Sequence, residues 1–428
     1  MTNPVGPGNR PGSVSEPVLV PGPAALARLS APPAGVPAAD ALAATVDPPA
    51  RMGATPGPFR EALISTDAIR HNIASIVTRV SPARVMAVVK ANGYGHDPII
   101  AARAALEGGA SALGVADVTE ALALRKAGVT VPVLAWLHDP DTDFVSALAA
   151  NIEVAVSSRA QLGAVVEAAA ALSRVAAIHL KVDTGLSRNG VAFANLPALC
   201  EAVLAAHSAG RVVLKGIMSH LANTSSDEDA AQREIFVRAV ELVRATGLNP
   251  GLRHLAASSA VFTTPAAWFD MVRVGIAGYG VSPFAATVTP AELGLHPAMT
   301  LRGRVIAVHR LPAGVGVSYN HTWRPDRETT VALIPFGYAD GLPRQASNRG
   351  EVWLAGGRRP VVGRIAMDQC VVDVGNAPVA AGDEVVLFGD PSTGVPSAED
   401  WAVAAGTIGY DIVTRIGPRV PRRALGVT

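Results

Sequence analysis

Lys90 stands at the end of an apolar run, Arg84-Val-Met-Ala-Val-Val-Lys90, and is followed at once by Ala91-Asn92-Gly93-Tyr94-Gly95-His96-Asp97. An amine at the carboxyl end of a buried strand, beside a glycine-rich turn whose backbone N–H groups can face an anion, suits a covalent aldehyde cofactor that carries a phosphate. Pyridoxal 5'-phosphate (PLP) has both groups. A lone lysine in such a loop is more often a solvated charge, but the apolar run and the Gly/Tyr pair set this one apart. The segment Asp183 to Arg188, His220, Ser258 and Arg273 each lie at or just past the end of another apolar run. Singly, each has an ordinary reading as a core histidine, a helix N-cap or an ion-pair partner. Their common placement points to one site.

For these groups to meet, the runs beside them must be strands of one sheet. From about Arg60 the chain alternates short apolar runs with Ala-rich amphipathic segments, the pattern of repeated βα units. Eight runs qualify: Val85–Lys90, Ala112–Ala116, Val131–Trp136, Ile152–Val156, Ile178–Asp183, Leu214–Ser219, Arg253–Ala257 and Met271–Gly275. Helices are predicted between them, over Ser158–Leu172 and Asp227–Thr246 for example, the latter opened by acidic residues that favour a helix N-terminus. The expected fold class is α/β, a TIM (β/α)8 barrel over residues 59–290, in which chemistry sits at the carboxyl ends of the strands. After Gly280 come Pro- and Gly-punctuated runs, Gly303–Val308, Thr330–Pro335, Glu351–Leu354 and Glu384–Phe388. They predict a C-terminal mostly-β domain over residues 291–428, with one helix near Ser397–Ala405. The arginine-rich end, Arg415 to Arg423, is spaced by Gly and Pro as a solvated edge strand or dimer rim would be.

Residues 1–58 hold 13 of the 33 prolines, three acidic and three basic residues, and neither helical nor strand period, so a disordered tail is expected. Its prolines and the lack of a basic start argue against a secretory signal. With 36 basic and 35 acidic residues, no global field recruits nucleic acid or a membrane surface, and a small substrate is expected. No apolar stretch reaches the roughly 18 residues needed to cross a bilayer. Cys200 and Cys370 are too few for a disulfide framework or a cysteine metal site, so no metal is expected and a reducing cytoplasm fits.

The run Ala87-Val-Val-Lys90-Ala-Asn-Gly-Tyr94-Gly-His96 resembles the lysine segment of the alanine racemases, fold-type III PLP enzymes. Further segments similar to that family follow in its order. They are His179-Leu-Lys181-Val-Asp183-Thr-Gly-Leu-Ser-Arg188-Asn-Gly190, Asp270-Met-Val-Arg273-Val-Gly275-Ile276-Ala-Gly-Tyr279-Gly280, Val317-Ser318-Tyr319-Asn320-His321-Thr322, Pro335-Phe-Gly-Tyr338-Ala-Asp340-Gly341-Leu-Pro-Arg344, Gly363-Arg364-Ile-Ala-Met367-Asp368-Gln369 and Gly406-Thr-Ile-Gly-Tyr410-Asp. The resemblance spans about Glu61 to Arg422. It implies that Lys90 carries PLP and is the base on one face of the substrate, while Tyr319 acts on the opposite face in the partner subunit's site. A homodimer with shared active sites follows. It further implies that Tyr94, Ser258, the backbone N–H groups of Gly275 and Ile276, and Tyr410 hold the phosphate. Arg188 would contact the cofactor's phenolic oxygen and the substrate carboxylate, with Lys181 a candidate for carbamylation that orients it. Met367 would meet the substrate carboxylate through its backbone N–H from the partner chain. His220 and Arg273 would lower the pKa of Tyr319, with Arg273 facing the pyridine nitrogen. An arginine does not give up its proton, so that nitrogen stays unprotonated, which favours racemisation over aminotransfer.

The implied activity is PLP-dependent interconversion of L- and D-alanine in the cytoplasm, supplying D-alanine for peptidoglycan. One rival is a racemase of broader scope or for another small amino acid such as serine. A second is a decarboxylase of the same fold type, which would lack the opposite-face Tyr319. A third is a non-catalytic PLP-binding barrel, which would lack the second domain. The chain departs from the family pattern at Ala257, Asn320, Trp323 and Gly409, all outside the catalytic groups.

Overall fold

A computed structural model describes residues 58–284 and 287–426, so the segment 1–57, where the tail was expected, lies outside the described residues. The first strand, β1 (Arg60–Ser65), precedes a ring of eight parallel strands: β2 (Arg84–Val88), β3 (Ala112–Val115), β4 (Val133–Ala135), β5 (Glu153–Val156), β6 (Ala176–Asp183), β8 (Val212–Met218), β9 (Leu252–His254) and β10 (Met271–Val274). A two-residue strand, β7 (Val191–Ala192), pairs with β6 outside the ring. The ladder runs β10-β2-β3-β4-β5-β6-β8-β9. The seam between β9 and β10 is drawn together by Asp270 N–H on Arg253 O (3.1 Å) and Arg273 N–H on Ala256 O (3.0 Å). All eight expected runs are barrel strands.

Strand alternation sends every second residue inward. Met86, Ala112, Leu134, Ala155, Met218 and Met271 form a separate apolar cluster there, distinct from the main core packed between strands and helices. The predicted helices form over Arg159–Ala171 and Ser226–Ala245, each started by a serine: Ser158 Oγ accepts from Gln161 N–H and Ser225 Oγ from Glu228 N–H. Among the described residues no helix is long and apolar enough to cross a membrane.

The remaining strands are β11 (Met299–Arg304), β12 (Ala307–Leu311), β13 (Thr329–Ile334), β14 (Glu351–Leu354), β15 (Gly357–Val362), β16 (Cys370–Gly375), β17 (Glu384–Phe388) and β18 (Arg422–Leu425). With β1 they make a second sheet, in the order β12-β13-β16-β15-β14-β17-β11-β1-β18. Of the arginine-rich end, Arg422 and Arg423 enter the edge strand β18, while residues 415–421 form turns. The helix Ala398–Ala405 is set by a capping box between Ser397 and Asp400.

Two sequence readings change. Residues 60–65 fall inside the range read as barrel, yet β1 pairs antiparallel with β11 and parallel with β18. An apolar six-residue strand has the same texture in either sheet, and only its partners assign it. The run Gly303–Val308 is the junction of two strands, because Val305 N–H leaves β11 to bond Asp383 O (2.9 Å) and Ile306 N–H bonds Leu333 O (2.8 Å).

Glu61 ties three strands of this sheet together. Its buried carboxylate accepts from Arg302 on β11 (Nη2, 2.7 Å) and Arg423 on β18 (Nε, 2.9 Å). The hydrogen bond from Arg423, then Arg302, holds it below its ordinary value of 4.5 against the opposing effect of burial. A depressed carboxylate contributes stability above its unfolded pKa and loses it as pH falls through the folded one. Glu61→Ala is therefore expected to lower stability at neutral pH by on the order of 2 kcal/mol, less than for a fully buried pair because both arginines are partly solvated. Urea melts at neutral pH and at pH 3 check this; the difference between variant and parent should shrink at the lower pH.

Candidate active site

The carboxyl ends of the barrel strands open into a cavity of about 460 Å³ lined by Lys90, Tyr94, Lys181, Arg188, His220, Ser258, Arg273, Gly275, Ile276 and Tyr410, among others. Every barrel residue that the sequence singled out for this site is in that lining, together with Tyr410 from the C-terminal part.

Lys90 leaves β2 into a turn of unusual hand. Ala91, Asn92, Gly93 and Tyr94 all have positive φ (53, 56, 59 and 50°). A non-glycine residue in this region costs roughly 1–2 kcal/mol, so the turn persists because its surroundings over-determine it. Glu120 does part of that work, accepting from Ala91 N–H (2.6 Å) and Ala116 N–H (2.8 Å). Sequence reasoning missed Glu120; its only signal is its place three residues after the N-cap Asp117, whose side chain accepts from Glu120 N–H.

At the opposite wall Ser258 Oγ accepts from Gly275 N–H (3.1 Å) and Ala277 N–H (3.4 Å), which leaves its own O–H free to donate to a ligand. A Cβ on Gly275 would lie 2.3 Å from Tyr94 Oη. Glycine there lets the backbone and two tyrosine hydroxyls approach one small volume. Burial, with Tyr410 and Glu120 adding, raises the Tyr94 phenol, and burial raises Tyr410 to about 12, so both remain hydrogen-bond donors at neutral pH.

The cavity is strongly cationic. Burial lowers the Lys90 ammonium below its usual range, with Arg188 and Arg273 assisting and Glu120 opposing. Lys181 falls to about 8 through burial, then Arg273, Arg188 and Lys90. Arg273 is buried (4% exposed) and lowered by that burial to about 10. Its guanidinium donates to His254 O (2.6 Å), Ser219 O (2.6 Å), Leu255 O (3.0 Å) and His220 Nδ1 (3.1 Å). Because Arg273 donates to it, Nδ1 of His220 must be the bare nitrogen, and a neutral ring then carries its proton on Nε2. The ring is neutral: burial, then Arg273, brings His220 to about 3.

Tyr319 and Met367 are not part of this cavity. They are exposed (67% and 52%) on the C-terminal part of the chain. The segments bearing them touch, since Ser318 Oγ donates to Arg364 O (2.7 Å) and a Cβ on Gly363 would lie 3.1 Å from Ser318 Cβ. Positive φ at Ser318, Asn320 and His321 (57, 61 and 46°) brackets Tyr319. One chain thus holds a cationic mouth and, elsewhere, an exposed face carrying the tyrosine.

A parallel barrel with two lysines, two arginines and a neutral histidine at its mouth, joined to a mostly-β domain, defines a class of barrel protein whose mouth suits a small anionic ligand. Residues 64–283 match the family described as "Alanine racemase, N-terminal domain" and residues 298–424 match "Alanine racemase, C-terminal domain". An alanine racemase of Frankia casuarinae is 49% identical over 365 residues, 85% of this chain and 95% of that protein. The crystal structure of alanine racemase from D-cycloserine-producing Streptomyces lavendulae superposes with a TM-score of 0.86 at 47% identity, covering 87% of this chain and 98% of that one. That of Bacillus anthracis with bound L-Ala-P gives 0.79 at 31%, covering 87% and 96%. The chain belongs to the alanine racemase family, whose members are isomerases.

The close approach at Gly275 yields a direct test. Gly275→Ala drives a methyl into Tyr94, and overpacking of this kind costs typically about 1–3 kcal/mol. A fall of that size in thermal or denaturant stability is expected, relieved by Tyr94→Phe in the same chain; unchanged stability in the single variant would refute the crowding.

Proposed function

We propose that this protein racemises alanine with pyridoxal 5'-phosphate bound to Lys90, as a homodimer in which each site is completed by Tyr319 and Met367 of the partner subunit. The observation that carries the reading is Lys90, desolvated and poised to be a free amine, in the same cavity as the Arg273–His220 pair and the crowded cradle at Gly275.

The residues present fit the cofactor. Hydroxyl donors from Tyr94, Ser258 and Tyr410 with backbone N–H groups at Gly275 and Ile276 suit a phosphate dianion, and the cavity's cations lack a matching set of carboxylates. Arg273, which keeps its proton at neutral pH, is the group for the ring nitrogen; Arg188 is the group for the phenolic oxygen and the substrate carboxylate. Lys181, at about 8, has enough free amine near neutrality to accept carbon dioxide and become a carbamate, an anion able to orient Arg188. When bound, the cofactor supplies the electron sink for the α-carbanion.

Two bases are then needed, one on each face of the substrate carbon. Lys90 is one, and burial with Arg188 and Arg273 beside it lowers its ammonium below the usual range, which eases transfer of its proton. The other is the partner's Tyr319. A phenol titrates near ~10 in water and must be stabilised as phenolate to act as a base. His220 offers a donor to such an oxygen, since Arg273 occupies Nδ1 and the proton sits on Nε2. As one group takes the α-proton, the other delivers its own to the opposite face. The match of both parts of the chain to the alanine racemase family supports alanine as the substrate. Cytoplasmic supply of D-alanine for peptidoglycan is the proposed role.

L-alanine incubated with the holoenzyme in D₂O should lose its α-proton and appear as both enantiomers; turnover of serine exceeding that of alanine would reject the substrate assignment. Lys90→Ala should abolish the visible absorbance of bound cofactor and all turnover. Tyr319→Phe should keep that absorbance yet slow proton removal from one enantiomer by about 10²–10⁴-fold more than from the other. Mixed Lys90→Ala and Tyr319→Phe subunits should recover activity through one intact site per heterodimer. No recovery after demonstrated subunit exchange would rule out a shared site.

A further inference from the structure

Beyond Arg273, a line of polar side chains continues through the otherwise apolar barrel interior to its opposite end. Arg273 Nη1 lies 3.4 Å from His254 Nδ1, His254 Nε2 lies 2.9 Å from His179 Nδ1, and His179 Nε2 lies 2.9 Å from Glu153 Oε2. His179 and His254 are 1% and 0% exposed, and Glu153 opens β5 at the end of the barrel away from the cavity. The two histidines come from β6 and β9, which are not neighbours: β8 runs between them. They meet only because Gly216 of β8, paired with His179, has no side chain; a Cβ there would lie 2.5 Å from His179 Nδ1.

We propose that Glu153 is a positioning residue for racemisation, fixing the tautomers of His179 and His254 so that His254 Nδ1 stays a bare acceptor facing Arg273. The inference rests on the racemase reading above. The logic runs link by link. An ionised Glu153 accepts only, so His179 carries its proton on Nε2 and its Nδ1 is bare. His254 must then donate through Nε2, which leaves its own Nδ1 bare toward the guanidinium. Arg273 in turn fixes His220 with its proton on Nε2. Every proton placement from Glu153 to the cavity is consistent with one carboxylate at the start.

The charges around this line support that state. Glu153 is held below the usual carboxylate range; burial opposes this, but the hydrogen bond from His179, with Lys215 and Arg125, outweighs it. His254 is kept neutral by burial, with the charge of Arg273 adding to it. At the far end His220 faces Arg273, Arg188, Lys90 and Lys181. If the carboxylate is removed, His179 is free to place its proton on Nδ1, His254 to place its own on Nδ1, and an N–H would then point at an N–H of Arg273. An imidazole held in the wrong tautomer can cost a triad enzyme orders of magnitude in rate. Here the effect passes through two more groups, and about 10–100-fold is expected, the range seen when an outer hydrogen-bond partner of a site is lost.

The line ends on Arg273, which on the proposed reading serves the ring nitrogen as well as His220, so exchange of both enantiomers should slow, the one that depends on Tyr319 more. In the holoenzyme labelled with ¹⁵N-histidine, two-bond proton–nitrogen spectra should show His179 and His254 protonated on Nε2. Glu153→Leu should lose that pattern, keep the bound-cofactor absorbance, and slow α-proton exchange of one alanine enantiomer by about 10–100-fold and of the other by less. Glu153→Gln, whose Oε1 still accepts from His179, should restore the tautomers and most of the rate. Unchanged tautomers and rates in Glu153→Leu overturn the proposal, as does equal loss for both enantiomers with the tautomers intact. Should Glu153→Leu not fold, His179→Gln cuts the line one link later and must give the same unequal loss. Absence of any exchange in the parent enzyme would sink the racemase reading, while the tautomer measurement would still decide the line.

Discussion

A guanidinium buried at the seam of the barrel is the constraint around which the site is organised. Leaving Arg273 unpaired in the interior would cost several kcal/mol, so its donors must be met within the protein. They are met by three carbonyl groups, at Ser219, His254 and Leu255, from the ends of two neighbouring strands, and by the imidazoles of His220 and His254. The same residue's backbone N–H closes the barrel onto Ala256. Closure of the fold, orientation of the cation and protonation state of His220 are thus one event. None of Arg273's side-chain partners is a carboxylate, so the mouth keeps the positive charge of Arg273 and its neighbours and favours anionic ligands.

That excess charge explains the other features of the cavity. Crowded cations desolvate and repel one another, which pushes both lysine ammonium groups toward the free amine. A free amine is what covalent attachment to an aldehyde and reversible proton transfer require. The left-handed turn after Lys90 and the glycine at 275 are local costs that bring backbone and hydroxyl groups to one small volume, a use of strain and missing side chains typical of sites that must surround an anion. On the proposed reading the second domain adds what the mouth lacks. Its exposed tyrosine and methionine lie on touching segments, with positive φ on both sides of the tyrosine.

Much of this was legible from residue order. The eight apolar runs, the polar residues at their carboxyl ends and the helices near Ser158–Leu172 and Asp227–Thr246 each depend on local chemistry, and each is found close to where expected. Where expectation and structure part, the cause is pairing across distance. β1 reads like any barrel strand, but its partners are residues 299–303 and 422–425. Gly303–Val308 reads as one strand and is two, because Val305 bonds a residue nearly eighty positions away. Glu120, Gly216 and Glu153 carry no motif, and their relevance lies wholly in what they touch.

The sequence by itself determined the barrel, the β-rich second part, the family and the inventory of groups available to the site, since period, punctuation and motif order are properties of neighbouring residues. Only the tertiary structure decided which of them share a cavity, that Arg273 leaves His220 with its proton on Nε2, and that Tyr319 and Met367 lie outside the mouth of their own chain. Those are facts about charge, solvent and direction at distances of a few ångströms between residues far apart in the chain, and they exist only once the backbone has closed.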